Sequence, residues 1–161
     1  MELKAITEAE RDGMLQLLTN DKIKQTYMLP DFENQEAAIP LFHRLCALSE
    51  AESRFVRGIF AEGKLVGFLN DVEMENGTIE LGYVIHPDHW GRGYATAALQ
   101  EAIQQLFSLG YDRVIAGAFA ENPASLRVME KAGMHKLQKT DTIEYRGKVH
   151  RCVYCGIRRM E

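Results

Sequence analysis

The sequence predicts a single α+β domain, residues 1–161, with a central mixed β-sheet flanked by about four helices. The length of 161 residues fits one domain of ordinary size. Short segments of alternating apolar and polar residues, separated by tight turns, predict strands that mostly meet in hairpins. Segments with apolar residues at helical spacing interrupt these hairpins, so the sheet should contain both parallel and antiparallel pairs.

The N-terminal part predicts a short strand followed by two helices. The strand covers residues 3–6. Thr7 has the position of an N-cap, and Glu10 follows three residues later as in a capping box, ahead of an apolar stripe. The second helix is predicted over residues 35–51, although Pro40 lies inside this window and opposes an unbroken helix.

The rest of the chain predicts alternating hairpins and helices. Residues 20–33 are rich in turn residues, and Asn76-Gly77 is a strong hairpin signal because both residues readily adopt positive φ. Strands are predicted at residues 54–60, 65–74, 78–86, 113–120, 136–145 and 148–157. Helices are predicted at residues 94–109 and from Asn122 to Gly133, where asparagine is the N-cap and glycine ends the helix.

Charge and hydropathy exclude several classes of function. The net charge of −4 gives no long-range attraction to nucleic acid or to an anionic membrane surface. No apolar run reaches the length that spans a bilayer, and the N-terminal segment is acidic rather than basic. We therefore expect no nucleic-acid partner, no membrane association and a cytoplasmic location.

The pair Cys152 and Cys155 has the C-x-x-C spacing of zinc and redox sites. In a strand, however, alternation places these two thiols on opposite faces, where they cannot share a metal ion. No second cysteine pair completes a site, and none of the histidines has a partner at metal-ligand spacing. We expect reduced cysteines and no metal.

The loop of residues 88–95 is the first candidate for a binding site, because a strand leads into it and a long helix leaves it. Gly91 and Gly93 let the backbone approach a ligand. Successive N–H groups and the positive end of the helix dipole then favour an anion. The loop therefore suggests a phosphate or pyrophosphate site. A tight turn without a ligand is the alternative interpretation of the same glycines.

Two nucleotide-binding motifs fit this loop less well. A P-loop ends in Gly-Lys followed by Ser or Thr, whereas this loop continues as Gly93-Tyr94-Ala95. A dinucleotide-binding Rossmann motif requires a third glycine near position 96, where this chain has Thr96. The strand before the loop also belongs to an antiparallel meander rather than to an early βαβ unit.

Two longer motifs make the interpretation of this loop more specific. Residues 81–96 read LGYVIHPDHWGRGYAT, and residues 122–133 read NPASLRVMEKAG. Both resemble the motifs of the Gcn5-related N-acetyltransferases (GNAT), and most closely those of the branch that contains the ribosomal-protein N-terminal acetyltransferases. Residues 143–150, IEYRGKVH, are also similar to the last hairpin of that branch. The resemblance covers roughly residues 80–157 and implies a GNAT fold with acetyl-CoA as co-substrate.

The resemblance also implies which residues bind the cofactor. The pantetheine arm would pair with the backbone of a strand end and bond to the side chain of Asn122. That strand end comprises Val84, Ile85 and His86. Main-chain N–H groups at the start of the following helix would hold the pyrophosphate. They belong to the segment Trp90, Gly91, Arg92, Gly93, Tyr94, Ala95 and Thr96.

The implied chemistry is direct attack of an amine on the thioester in a ternary complex, during which the amine loses a proton and the thiolate gains one. Ser125 matches the serine near the leaving sulfur in this branch, whereas Met129 stands where many relatives carry a tyrosine acid. Glu80 and Glu144 both match the position of a general base, and the branch resemblance favours Glu144. Each residue also has an alternative, purely structural interpretation. Ser125 can be a serine that bonds to the backbone at the start of a helix, and Glu80 and Glu144 can be solvated carboxylates on strands.

The sequence leaves the acceptor amine open. A small-molecule amine and a protein N-terminus both fit, and the acidic residues Asp71 and Glu73 suit a cationic acceptor. Two other functions also remain open, namely binding of acyl-CoA without turnover and transfer of a longer acyl group. A homodimer is expected from the resemblance alone, because relatives often pair through a sheet edge.

Overall fold

The computed structural model describes residues 1–160 and contains a seven-stranded mixed sheet with the strand order β1-β2-β3-β4-β5-β7-β6. The strands are β1 (Glu2–Lys4), β2 (Val56–Ala61), β3 (Lys64–Glu75), β4 (Thr78–Ile85), β5 (Arg113–Phe119), β6 (His135–Tyr145) and β7 (Lys148–Arg158). The helices are α1 (Arg11–Leu18), α2 (Asp21–Lys24), α3 (Ile39–Glu50), α4 (Tyr94–Ser108) and α5 (Pro123–Lys131). The predicted fold class is confirmed, and β4 and β5 form a parallel pair.

The chain forms two compact units. The first comprises residues 1–70 and 83–98, and the second comprises residues 71–82 together with the described chain from Leu99 onward. In the first unit, the core includes the fully buried side chains of Met14, Leu18 and Phe42. These residues come from α1 and α3, which explains why both helices show an apolar stripe in the sequence.

The predicted capping box at Thr7 is confirmed. The Thr7 hydroxyl accepts a hydrogen bond from the N–H of Ala9 at 3.3 Å, and the Glu10 carboxylate accepts one from the N–H of Thr7 at 2.9 Å. A single turn of 3-10 helix, Glu8–Glu10, follows this cap and leads into α1. Reciprocal bonding satisfies two amides at the helix start and fixes where the first helical segment begins.

One predicted helix begins later than expected, and one helix was not predicted. Pro40 lies in the first turn of α3, where a missing N–H is tolerated, so the helix starts at Ile39 after a single 3-10 turn. The segment predicted to be turn-rich contains α2, which raises the number of helices to five. Asn20 caps α2 by accepting hydrogen bonds from two amides, at 3.0 and 3.1 Å. Four residues are too few to show apolar periodicity, which explains why α2 was missed.

The second unit is built around the antiparallel hairpin of β6 and β7, with β5 on the other side of β7. The hairpin turns at Arg146 and Gly147, whose φ angles of 52° and 73° are both positive, as is typical of a two-residue hairpin turn. Apolar residues of α4 and β5 fill the core of this unit. They include the fully buried Leu99, Leu106 and Val114.

The register of β7 places its two cysteines on opposite faces, as predicted. Cys152 is opposite Phe119 and Cys155 is opposite Ala116. Both are free thiols, and burial raises the pKa of each. Residues 1–160 contain no group of His, Cys, Asp and Glu side chains that could hold a metal ion. No helix in this described part is long and apolar enough to cross a membrane.

Candidate active site

The predicted cofactor loop lies in the first unit, directly after the end of β4. Hydrogen bonds fix the start of this loop. The N–H of His86 donates to the carbonyl of Val66 at 2.8 Å, which continues the pairing beyond the last residue of β4. One turn of 3-10 helix, Pro87–His89, follows. The indole N–H of Trp90 then donates back to the carbonyl of Ile85 at 2.7 Å, which closes the loop on its own strand.

The loop leads into α4 through two glycines in the left-handed region. Gly91 and Gly93 have φ angles of 78° and 79°, a conformation that other residues adopt only with strain. A Cβ at either position would meet no heavy atom within 4 Å, so the space beside these residues is open to a ligand. The sequence predicts that the backbone here needs the conformational freedom of glycine. The positive φ angles of Gly91 and Gly93 confirm this prediction.

The amides at the start of α4 are available to an anion. The first hydrogen bond of this helix runs from the N–H of Ala97 to the carbonyl of Gly93, at 3.1 Å. The N–H groups of Tyr94, Ala95 and Thr96 precede it and have no carbonyl within the helix to bond. Together with the helix dipole, these amides fit a pyrophosphate group such as that of acetyl-CoA.

A histidine side chain in the same loop also fits a polar ligand. The Nδ1 atom of His89 is buried and has no hydrogen-bond partner among residues 1–160. By contrast, the Nδ1 atom of His86 accepts the N–H of Asp88 at 3.1 Å and caps the 3-10 turn. A buried polar atom without a partner is unfavourable, and a bound ligand or water can supply one.

The remaining predicted residues lie in the second unit. Asn122 caps α5, since its side-chain oxygen accepts the N–H of Ser125 at 3.4 Å. The structure therefore brings Asn122 and Ser125 together, as their spacing at a helix start suggests. Ser125 is half-buried in the first turn of the helix, whereas Met129 is fully buried and packs as a core residue.

Glu80 lies on β4 in the wall of a cavity of about 710 Å³. The side chain is half-buried, and burial raises the pKa of its carboxyl group. The nearby charge of Lys139 opposes this pKa shift, while the charges of Glu73 and Asp141 add to it. Besides Glu80, the charged residues that line the cavity are Glu73, Glu75, Arg113 and Lys139. The result is a carboxylate that holds its proton to a higher pH than an exposed glutamate.

The two candidate bases face opposite sides of the sheet in the second unit. Glu80 is opposite Ile115 of β5, and Ile115 is opposite Gly156 of β7. Alternation along β7 then places Tyr154, Cys152 and His150 on the same side, which we call the Glu80 face. Glu144 of β6 is opposite Val149 and so belongs to the other face, where its side chain is exposed.

Sequence reasoning missed a tyrosine on the Glu80 face. The Tyr154 hydroxyl donates to the carboxylate of Asp141 at 3.0 Å, and burial raises the pKa of this hydroxyl far above its usual range. A Cβ at Gly117 would lie 2.6 Å from the Tyr154 ring, so the glycine makes room for it. Gly117, an isolated glycine within a strand, is the sequence feature that could have indicated this close approach.

Comparison with known proteins identifies relatives along most of the chain. A model described as acetyltransferase (GNAT) domain matches residues 1–135. Uncharacterized N-acetyltransferase YoaA of Bacillus subtilis is 31% identical over 140 residues, which cover 83% of this chain and 78% of YoaA. The ribosomal-protein-serine acetyltransferase of Escherichia coli is 27% identical over 139 residues, which cover 83% of this chain and 78% of that protein.

A solved structure gives the same fold. The crystal structure of spermidine N-acetyltransferase from Vibrio cholerae, in complex with CoA and spermine, superimposes with a TM-score of 0.81. The match covers 98% of this chain and 94% of that one, at 18% sequence identity. The likeness in fold extends over nearly the whole of both chains.

Proposed function

This chain belongs to the GNAT acetyltransferase family, and we propose that it acetylates a cationic amine with Glu80 as the general base. It is an N-acetyltransferase that takes the acetyl group from acetyl-CoA. The comparisons do not favour acyl-CoA binding without turnover or transfer of a longer acyl group. We further propose that residues 1–161 act as one acetyltransferase domain, in the cytoplasm and as a homodimer.

The proposed cofactor contacts follow the geometry of the loop. Amides from Trp90 to Ala95, with Thr96, hold the pyrophosphate, because the N–H groups of Tyr94 to Thr96 have no acceptor within α4 and lie at its positive end. The N–H of Trp90 already donates to the carbonyl of Pro87 at 3.2 Å and would have to exchange this bond for the ligand. The backbone of residues 84–86 pairs with the pantetheine arm as an added strand. In the second unit, Asn122 bonds to the same arm. A main-chain N–H in residues 83–85 polarises the acetyl carbonyl and stabilises the negative charge that develops on its oxygen.

The observation that carries the proposed base is the environment of Glu80. A base works best when its pKa lies near the working pH, and burial moves the pKa of Glu80 in that direction. Glu144, by contrast, is exposed near the end of β6. We therefore assign the base to Glu80 and use Glu144, which the branch resemblance favours, as the competing assignment.

The proposed reaction consists of proton transfers and one exchange of a C–S bond for a C–N bond. The Glu80 carboxylate takes one proton from the ammonium form of the acceptor, and the neutral nitrogen then attacks the carbonyl carbon of the thioester. The C–S bond breaks, its electron pair leaves with sulfur, and the Ser125 hydroxyl gives a proton to the thiolate. Ser125 recovers its proton, and the nitrogen loses its second one, through water. Glu80 then releases the proton it took to solvent and returns to the carboxylate form. The products are the N-acetyl amide and free CoA thiol.

The charge pattern around Glu80 supports a cationic acceptor. Three carboxylates, of Glu73, Glu75 and Glu80, line one cavity together with the cations of Arg113 and Lys139, which leaves one net negative charge when all five are ionised. Opposite charges attract each other more strongly in a partly buried cleft than in water. The Vibrio cholerae neighbour was solved with spermine, a polyamine. The relative from Escherichia coli is a ribosomal-protein-serine acetyltransferase, so a protein N-terminus is the second candidate.

A screen of acceptors tests this proposal. The purified chain is incubated with acetyl-CoA and one amine at a time, and release of free CoA thiol is followed. We expect a higher kcat/KM for spermidine than for butylamine, which carries a single positive charge. We also expect Glu73→Gln to raise KM for spermidine and leave KM for acetyl-CoA unchanged.

A short peptide with a free N-terminus, and the same peptide acetylated beforehand, complete the screen. Thiol release with the free peptide and none with either amine would reject the polyamine and favour the protein N-terminus. Equal kcat/KM for spermidine and butylamine would show that additional positive charge is not recognised.

A further inference from the structure

His150 of β7 is a buried ionisable side chain of the Glu80 face that the proposed reaction does not use. It is 7% exposed, and its ring stacks on Phe119 with the centroids 4.2 Å apart and the planes 14° apart. The Nδ1 atom contacts the carboxylate of Glu121 at close range. The ring of Tyr145 lies 6.1 Å away on another side. His150 is therefore held in one orientation by a carboxylate and an aromatic face.

Glu121 belongs to the turn that joins β5 to α5, and β7 holds this turn at two places. The N–H of Ala120 donates to the carbonyl of Arg151 at 2.8 Å, next to the contact between His150 and Glu121. Within the turn, the N–H of Asn122 donates to the carbonyl of Phe119 at 2.8 Å. The position of Asn122 therefore depends on this turn, in which His150 fixes the side chain of Glu121.

The same turn carries Asn122 and leads into the first turn of α5, which carries Ser125, and these two residues contact the cofactor arm and sulfur in the proposed function. Asn122 follows Glu121 directly, and its side chain in turn holds the N–H of Ser125. Glu121 thus precedes Asn122 by one position and Ser125 by four positions in the chain. A displacement of about 1 Å in such groups is sufficient to lower catalysis strongly.

We propose that His150 is a positioning residue, which holds Glu121 and thereby sets the turn that presents Asn122 and Ser125 to acetyl-CoA. This inference rests on the proposed function, because it assumes that those two residues contact the cofactor. It assigns no proton transfer to His150.

The contact does not require a particular charge on the histidine. The ring N–H at Nδ1 donates to a carboxylate in the neutral form as well as in the charged form. The hydrogen bond from His150 lowers the pKa of Glu121, so the acceptor stays ionised throughout the neutral range. The other groups around this pair are Tyr145, Lys148 and Cys152.

The test separates ring stacking from hydrogen bonding with two variants. His150→Phe keeps an aromatic ring on Phe119 and removes the donor, whereas His150→Asn keeps a donor near the position of Nδ1. We expect His150→Phe to raise KM for acetyl-CoA on the order of 10-fold. His150→Asn should restore most of the loss. KM and kcat are measured by thiol release, and acetyl-CoA affinity by calorimetry.

Glu121→Ala provides a second route to the same loss, since this side chain is 47% exposed and its removal leaves the core intact. The double variant with His150→Phe should be no worse than either single variant, because both remove one interaction. Asp112→Ala is the matched control. It breaks an exposed ion pair with Arg159, 3.0 Å long, in the same unit and should leave KM unchanged.

An unchanged KM and affinity for acetyl-CoA in both His150→Phe and Glu121→Ala, even with a lower melting temperature, would overturn the inference. Such a result would mean that the pair only stabilises the fold. Failure of the proposed base gives a different pattern. In that case Glu80→Gln keeps its activity, while the effects of His150 and Glu121 on acetyl-CoA persist.

Discussion

The loop of the first unit and the Glu80 face of the second unit offer ligands different chemical groups. In the loop, the available groups are mainly main-chain amides, and Gly91 and Gly93 at positive φ give the backbone its path. On the Glu80 face they are side chains, above all a half-buried carboxylate with a raised pKa. The loop suits recognition of a phosphate through its shape and its amide dipoles. On the Glu80 face, the carboxylate of Glu80 takes up a proton during the proposed reaction.

This difference predicts how each region responds to substitution. Side-chain changes in the loop should matter little unless they force a residue out of the left-handed region, since the amides remain. On the Glu80 face, loss of one ionisable group should remove the chemistry and leave the fold intact. Variants of the two regions should therefore separate acetyl-CoA binding from turnover.

The largest expected effect is that of Glu80→Gln on turnover. The amide keeps the size of the side chain and cannot accept the proton of the acceptor, so kcat should fall by about 10²–10⁴-fold. Affinity for acetyl-CoA, measured by calorimetry, should stay at the wild-type value. Glu144→Gln is the matched control on the opposite face and should keep kcat near wild type. The reverse pattern would assign the base to Glu144.

The next largest effect concerns the loop. Gly93→Ala places a Cβ at a φ of 79°, at a cost of about 1–2 kcal/mol unless the backbone moves. We expect KM for acetyl-CoA to rise on the order of 10-fold while kcat at saturation changes little. Gly63→Ala is matched in φ, at 79°, but lies in the hairpin turn between β2 and β3. It should lower stability only, and an equal rise in KM would refute the role of the loop.

A smaller effect is expected at the first capping box. Thr7→Ala removes the hydroxyl that accepts the N–H of Ala9 and should lower the free energy of unfolding by about 1 kcal/mol. Chemical denaturation measures this loss. Because Thr7 is remote in sequence from the loop and from Glu80, kcat and both KM values should be unchanged. A change in turnover would mean that the first helix contributes more to catalysis than to stability.

The smallest effect is the pH dependence of stability at Glu80. Its folded-state pKa is raised, so Glu80 contributes most to stability below the ordinary glutamate pKa. That contribution is lost as the pH rises through the raised value. Glu80→Gln should therefore melt near the wild-type temperature in acid and slightly above it at neutral pH. A melting temperature below wild type at neutral pH would contradict the burial of this charge.

Local signals in the sequence predicted backbone features better than side-chain contacts between strands. The capping box at Thr7, the turn at Asn76-Gly77 and the glycines of the loop all depend on residues within a few positions of each other. Their physical requirement, a side-chain cap or a positive φ, is satisfied by the residue itself. The structure therefore confirms the backbone features that these patterns predict.

The side-chain contacts of the second unit depend on strand register, which the sequence does not determine. Tyr154 bonds to Asp141 across 13 residues, and His150 contacts Glu121 across 29. Neither pair has a recognisable spacing, so the sequence gives no signal for either contact. Only the register also shows that Glu80 and Glu144 lie on opposite faces, which the motif comparison left open.

The pH dependence of kcat/KM for the acceptor amine tests the assignment of Glu80 most directly. The wild type should lose activity on the acidic side with a midpoint above the ordinary glutamate pKa of about 4.3, and Glu144→Gln should show the same midpoint. In Glu80→Gln this acidic limb should disappear together with most of the rate. An acidic limb that persists in Glu80→Gln and disappears in Glu144→Gln would contradict the account and move the base to the last hairpin.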